Sequence, residues 1–179
     1  MGDAIVFGIR VPFVRYADWI LTTPLMLYEL CTIGNAPGHV TMMVIGCDLL
    51  MLGFGIVSAC IDRKDKLLEK YLWFLASCAF FILMLGALHF HVATGSALEQ
   101  PADVQTLFSR LEWLTIVAWS GYPVIVLLGR AHAGLISKAT EDLGLCVLDC
   151  IAKIGMEGLI VVSCSAPGAM CHATGNAGH

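Results

Sequence analysis

Apolar and polar positions fall along this chain in long blocks rather than in short alternation. Apolar stretches at approximately 12–33, 40–61, 71–92, 107–129 and 143–164 each approach the roughly 20 residues that a helix needs to cross a bilayer. The separators carry turn and breaker residues: Gly34-Asn35-Ala36-Pro37-Gly38 after the first block and Pro101-Ala102-Asp103 before the fourth. A charged run, Asp62-Arg63-Lys64-Asp65-Lys66, divides the second from the third, and the last fades into Pro167-Gly168 and a tail of small residues. Backbone groups inside lipid must bond within their own segment, so the blocks predict helices and not open strands. The pattern predicts an all-α membrane protein: one domain over 1–179, a bundle of five transmembrane helices with a flexible tail at 165–179. No internal repeat and no attached soluble domain is evident.

Composition agrees with this. Hydrophobic residues make up 58% of the chain and charged residues 13%, with a mean hydropathy of +0.82. Soluble domains carry about 25% charged residues, so most of these side chains are expected to face lipid. The expected setting is therefore an integral, multi-pass position in a cell or organelle membrane, with the lipid bilayer as partner. A net charge of −4 without a basic stripe excludes nucleic acid as a partner. Cys47, Cys60, Cys78, Cys146 and Cys150 sit inside apolar runs, where a thiol behaves as a small hydrophobe. No CxxC pair occurs, and Cys171-His172 lacks the second cysteine of a haem-attachment motif, so neither a disulfide framework nor a metal site is expected. No cleavable signal is expected either, because Arg10, Arg15 and Asp18 interrupt the N-terminal region. Arg10, Arg63, Lys64, Lys66, Lys70, Arg130 and Lys138 fall on one side of the bundle and Arg110 on the other; by charge alone the N-terminus belongs in the cytoplasm.

Ionisable residues within membrane helices are costly and point to function. Arg15, Asp18 and Thr22 stand at i, i+3 and i+7, on one helical face. Glu29 lies eleven residues beyond Asp18 and shares that face about 16 Å further along. Asp48 occupies the middle of the second block, and Asp149 and Lys153 are four apart in the fifth. A lysine removed from water is favoured in its neutral, nucleophilic form, which suits condensation with an aldehyde. The product, when protonated, needs a carboxylate counterion, and Asp149 is one turn away. The competing reading is a structural Lys–Asp pair that only locks helices together. Trp19, Met51, Phe74, Phe81, Trp119 and Tyr122 favour the ligand reading, since they offer flat or soft surfaces for a long conjugated molecule.

These residues carry a resemblance. Arg15-Tyr16-Ala17-Asp18-Trp19 with Thr22-Thr23-Pro24 closely resembles the third helix of the microbial rhodopsins, and Asp48 with Met51, Gly53 and Gly55 resembles the fourth. Trp73 and Ser77 fit the fifth, Trp119-Ser120-Gly121-Tyr122-Pro123 is similar to the sixth, and the run from Val147 to Lys153 resembles the seventh. The matches arrive in order across nearly the whole chain. The resemblance implies five helices that match helices three to seven of the family's seven-helix bundle. It implies all-trans-retinal bound covalently to Lys153 as a protonated Schiff base, with Asp18 and Asp149 as counterions, Arg15 beside them and Thr22 bonded to Asp18. Asp18 is then the proton acceptor and Glu29 stands at the proton-donor position, where glutamate is similar to proteorhodopsin-type pumps. Thr23 and Asp48 are expected to bond between helices. Glu141 falls where the family places a proton-release carboxylate, although that residue's usual partner position is Ala131 here. Met26 sits at a colour-tuning position and suggests green absorption. The retinal pocket is expected to comprise Lys153, Trp19, Thr23, Met26, Met51, Gly55, Phe74, Ser77, Phe81, Trp119, Tyr122 and Asp149.

Departures from the family pattern qualify the expectation. The first two of the seven helices have no counterpart, for which an incomplete gene model is favoured over a fragment or a natural short form; a separate fragment could supply them, and a homo-oligomer is a further candidate. Phe74 and Val126 stand where tryptophans are common, and Glu157 stands where glycine is usual. The family topology opposes the charge count, and the motifs are preferred over that count. The leading function is a light-driven outward proton pump rather than an enzyme. The alternatives are a photosensory receptor, a light-gated ion channel and an incomplete, non-pigmented fragment; Asp18 argues against a chloride pump.

Overall fold

The apolar blocks fold as helices, and all but the first begin before their blocks. In a computed structural model, residues 4–6, 9–11, 13–61 and 66–165 are described. The run at 62–65 and everything after 165, with the expected flexible tail and Cys171-His172, lie outside the described residues. The helices are α1 (Phe13–Ile33), α2 (Gly38–Cys60), α3 (Leu67–Ala87), α4 (Ala102–Leu128) and α5 (Lys138–Ser165). α3 continues into a π-helical turn, Leu88–Ala93, and a 3-10 turn, Ser96–Glu99, precedes α4.

α4 and α5 both begin five residues before their apolar blocks. Pro101 sits at the N-cap of α4 and Asp103 lies in its first turn, a favourable start for a helix. Ser137 Oγ accepts the N–H of Thr140 at 3.1 Å, capping the start of α5. An apolar count registers only the part of a helix that meets lipid, so caps of this kind lie beyond it. A second difference precedes α1: strands β1 (Ala4–Val6) and β2 (Ile9–Val11) pair antiparallel, Ala4 opposite Val11. β-branched residues on both sides of Phe7-Gly8 favour that hairpin, and the segment is too short to count as a block.

α2, α4 and the stretch from α3 to the 3-10 turn are long and apolar enough to cross a membrane. α1 and α5 fall short of the same measure of length and composition because they carry the ionisable residues. Leu21, Leu25, Met42, Leu72, Val117 and Val162 are exposed on the outside, as a lipid-facing surface requires. Between the helices, Leu27, Leu30, Val44, Met84, Leu88, Phe108, Leu111 and Met156 form the packed core. At one end of the bundle α1 stops against the α3–α4 connection: Ser96 Oγ donates to Gly34 O at 2.7 Å, and any side chain at Gly34 would collide with Val92 and Phe108. Asn35 then turns the chain with φ 51°, a conformation asparagine tolerates. Cys31, Cys47, Cys60, Cys78, Cys146 and Cys150, five of them within the apolar runs singled out from the sequence, are free thiols.

Candidate functional site

α1 and α5 meet through polar side chains in a consistent register. Arg15 Nη1 donates to Asp142 Oδ1 at 3.2 Å, Trp19 Nε1 donates to Asp149 Oδ1 at 2.9 Å, and Lys153 Nζ forms an ion pair with Asp18 Oδ2. Arg15 near the start of α1 meets Asp142 near the start of α5, and Asp18 and Trp19 one turn on meet Lys153 and Asp149, so the two helices run parallel. The amine therefore pairs with the carboxylate of the other helix. Asp149, one turn before Lys153, accepts instead from Trp19 and from the Tyr122 hydroxyl at 2.8 Å. The expected set of Lys153, Asp18 and Asp149 is brought together, with its bonds distributed differently.

Two details depart from expectation. Thr22 Oγ1 donates to the main-chain carbonyl of Asp18 at 2.8 Å rather than to its carboxylate, since a threonine inside a helix reaches back one turn. Arg15 turns toward Asp142, which Lys138 also approaches at 3.5 Å, so its recorded ion pair is not with Asp18 or Asp149. The bond between Thr23 and Asp48 is present: Thr23 Oγ1 donates to Asp48 Oδ2 at 2.8 Å. Asp48 is fully buried, and its Oδ1 has no hydrogen-bond partner among the described residues.

A cavity opens between these groups. Lys153, Asp149, Trp19, Thr23, Met26, Met51, Gly55, Phe74, Ser77, Phe81, Trp119 and Tyr122 all line it. The Trp19 and Tyr122 rings stand edge to face with centroids 5.3 Å apart. Ser77 Oγ donates to Met51 O at 2.7 Å, so its polarity is turned away from the cavity. The lining also includes Tyr16, Leu52, Cys78, Pro123, Val126, Ala152 and His132. His132 comes from the α4–α5 connection, is buried, packs on Phe74 with ring centroids 4.8 Å apart and lies 3.1 Å by its Nε2 from Ser58 Oγ. Phe74 and Val126, smaller than tryptophan, were the signal that space existed there. Asp142, His89 and Glu112 were also unmarked by the sequence. Glu29 and Glu141 lie outside the cavity, toward opposite ends of the bundle. Glu29 sits in the last turns of α1, and Glu141 Oε2 accepts the Arg130 N–H at 3.2 Å near the start of α5.

Aromatic and aliphatic walls with one amine and a few polar atoms suit a flat, conjugated, apolar ligand that carries an aldehyde. The donor set thus fits retinal: an amine to join, a carboxylate on that amine, and rings to sandwich a polyene.

Comparison with known proteins agrees with this geometry. The family described as bacteriorhodopsin-like protein matches residues 2–166. Cruxrhodopsin-3 of Haloarcula vallismortis is 33% identical over 153 residues, covering 84% of this chain and 60% of its own length. Bacteriorhodopsin of Halobacterium salinarum is 34% identical over 150 residues, covering 84% of this chain and 55% of its own. The crystal structure of a cyanorhodopsin from the cyanobacterium Calothrix sp. superposes with a TM-score of 0.83 at 32% identity, covering 89% of this chain and 68% of that one. The chain thus spans 60% or less of the length of those two curated relatives.

Proposed function

The chain belongs to the bacteriorhodopsin-like family, and on that premise we propose that it is a retinal-binding, light-driven outward proton pump in which Asp18 accepts the proton and Glu29 returns it. Proteins of this family are integral multi-pass membrane proteins that carry retinal on a lysine, and they are transporters or photoreceptors rather than enzymes. In this reading α1 to α5 are the third to seventh of the family's seven helices.

The observation that carries the proposal is the Lys153–Asp18 pair on the wall of an aromatic cavity. Lys153 would hold all-trans-retinal between the Trp19, Trp119 and Tyr122 rings, and the group would supply absorption of visible light. The chain's own groups then divide the work. Asp149 Oδ1 receives two hydrogen bonds, from Trp19 and Tyr122, which stabilise its negative charge. Asp18 is therefore the carboxylate that takes the proton from Lys153 Nζ at Oδ2. Asp18 Oδ2 holds Nζ in place, and the Trp19, Trp119 and Tyr122 rings line the same cavity as apolar wall. Arg15, with Asp142 and Lys138, and Glu141, with Arg130, stand toward the end of the bundle where α1 begins, and form the outlet. Glu29 stands toward the other end, about 16 Å along α1 from Asp18, and returns a proton from that side.

The test is to reconstitute the chain in membranes with all-trans-retinal and record its visible spectrum and light-driven pH change. A visible band lost in Lys153→Ala, with external acidification lost in Asp18→Asn, supports a pump. A band without transport makes the chain a photosensory receptor, and a passive light-dependent current makes it a channel. No band makes it a non-pigmented fragment that needs a separate piece to close its pocket.

A further inference from the structure

A second buried acid lies away from the Lys153 site, at the end of the bundle where α1 terminates. Glu112 of α4 is 5% exposed, and its Oε1 is 2.8 Å from Nδ1 of His89 in the π-helical turn. The His89 side chain is 48% exposed, so one member of the pair meets the surroundings and the other lies in the packed interior. Among the described residues neither forms a second ion pair, and His89 otherwise stacks edge-on against Phe90 of its own turn. An apolar pair of similar volume would tie α3 to α4 at least as well, because burying a charge costs more than such a contact returns. π-helical turns, moreover, concentrate at functional sites.

The line continues inward. Glu112, Thr115 and Trp119 stand at i, i+3 and i+7 on α4, and all are buried, at 5%, 4% and 5% exposure. Trp119 lines the cavity that holds Lys153. From Glu112 to Trp119 the rise along the helix is about 10 Å, shorter than the roughly 16 Å from Glu29 to Asp18; the Thr115 hydroxyl between them donates back to Leu111 O at 2.9 Å.

We propose that His89 and Glu112 form a proton inlet that feeds the Lys153 cavity alongside Glu29. A proton taken from water at His89 Nε2 is matched by transfer of the Nδ1 proton to Glu112 Oε1. Glu112 then gives that proton, through water along the Thr115–Trp119 face, to Lys153 Nζ, which has passed its own proton to Asp18, and Glu112 returns to its charged form. The half-exposed imidazole loses its Nε2 proton and regains one at Nδ1 by exchange with water, so one proton moves inward per cycle. The inlet rests on the reading that Lys153 carries retinal.

The experiment follows recovery of the visible band after a flash in the retinal-loaded wild type, Glu29→Gln, and Glu29→Gln combined with Glu112→Gln or His89→Gln, so that the parallel donor is absent. Removing the remaining internal donor should slow recovery in Glu29→Gln/Glu112→Gln by roughly a hundredfold relative to Glu29→Gln alone, and azide, a small permeant acid, should restore it. In Glu29→Gln/His89→Gln, recovery should track bulk proton concentration. Recovery in Glu29→Gln/Glu112→Gln at the rate of Glu29→Gln overturns the inlet, as does a slow recovery that azide leaves unchanged, since that marks a helix tie. A second measurement needs no retinal: nitrogen NMR of labelled histidine in membranes reads which ring nitrogen of His89 carries the proton. The Nδ1 signal should show a proton shared with Glu112 Oε1 that is lost in Glu112→Gln, and an Nδ1 signal unchanged by that substitution overturns the pair. Failure of the wild type to form a visible band would instead count against the pump reading, while the NMR result stands independently.

Discussion

Lys153 of α5 and Asp18 of α1, 135 positions apart in the chain, are joined as an ion pair across the bundle. The two side chains are 29% and 44% exposed. Each charge therefore depends on the other as well as on solvent, and removing either partner leaves an ion in poor surroundings.

Asp18→Asn should keep the fold and the visible band but move the band to longer wavelength, because the positive Nζ loses the negative charge that stabilises it in the dark. Light-driven proton release should fall by about two orders of magnitude or more. A spectrum and a pH electrode on the same membranes check both parts. An unshifted band would show that Asp149, and not Asp18, is the principal counterion.

Tyr122→Phe removes one of the two donors to Asp149 Oδ1. The remaining bond from Trp19 should hold the carboxylate in place at a cost of roughly 1.5–3 kcal/mol, the range for a hydrogen bond to a charged group. Thermal denaturation monitored by the visible band reads this loss. Combining the change with Trp19→Phe should cost more than the sum of the two, since Asp149 is then stranded.

Thr23→Val leaves the buried Asp48 carboxyl without its interhelical partner. The expected loss is about 1–3 kcal/mol of stability. Replacing both residues by apolar ones, Thr23→Val with Asp48→Leu, should recover much of that loss, because no buried polar atom remains unmatched. A double-mutant cycle in a denaturation assay measures the coupling.

Gly121→Val should weaken the α4–α5 contact. A Cβ at Gly121 would lie 2.8 Å from Leu148 Cδ1 and 3.1 Å from its Cδ2, so the helices would have to part. Overpacking of this kind costs about 1–3 kcal/mol. Pairing it with Leu148→Ala should restore stability, which a melting curve reports.

Much of this architecture could be read along the chain because lipid imposes one simple demand, a run of apolar residues of fixed length. Helix existence followed from that demand; helix ends did not, since Ser137 caps α5 and Pro101-Ala102-Asp103 starts α4 ahead of the apolar runs, features that no apolar count registers. The pocket residues were legible because Lys153, Asp18, Trp119 and Tyr122 stand within recognisable local strings. Asp142, Glu112 and His89 were not, because each matters through one partner distant in sequence: Arg15 lies 127 positions from Asp142 and Glu112 lies 23 from His89. Spacing along one helix does not specify which side chain of another helix it will face. Thr22 does bond to Asp18, but by a purely local preference of its hydroxyl for the carbonyl one turn back rather than through the carboxylate.

His132 gives one surface loop an unusual status. Connections between helices are ordinarily where a protein best tolerates insertion and deletion. Here the turn after α4 supplies a buried ring to the cavity wall, seated on Phe74 and Ser58. Lengthening that turn by a residue would displace the ring from that seat. A stretch that looks expendable from outside is thus bound by the same constraints as the helical walls of the cavity.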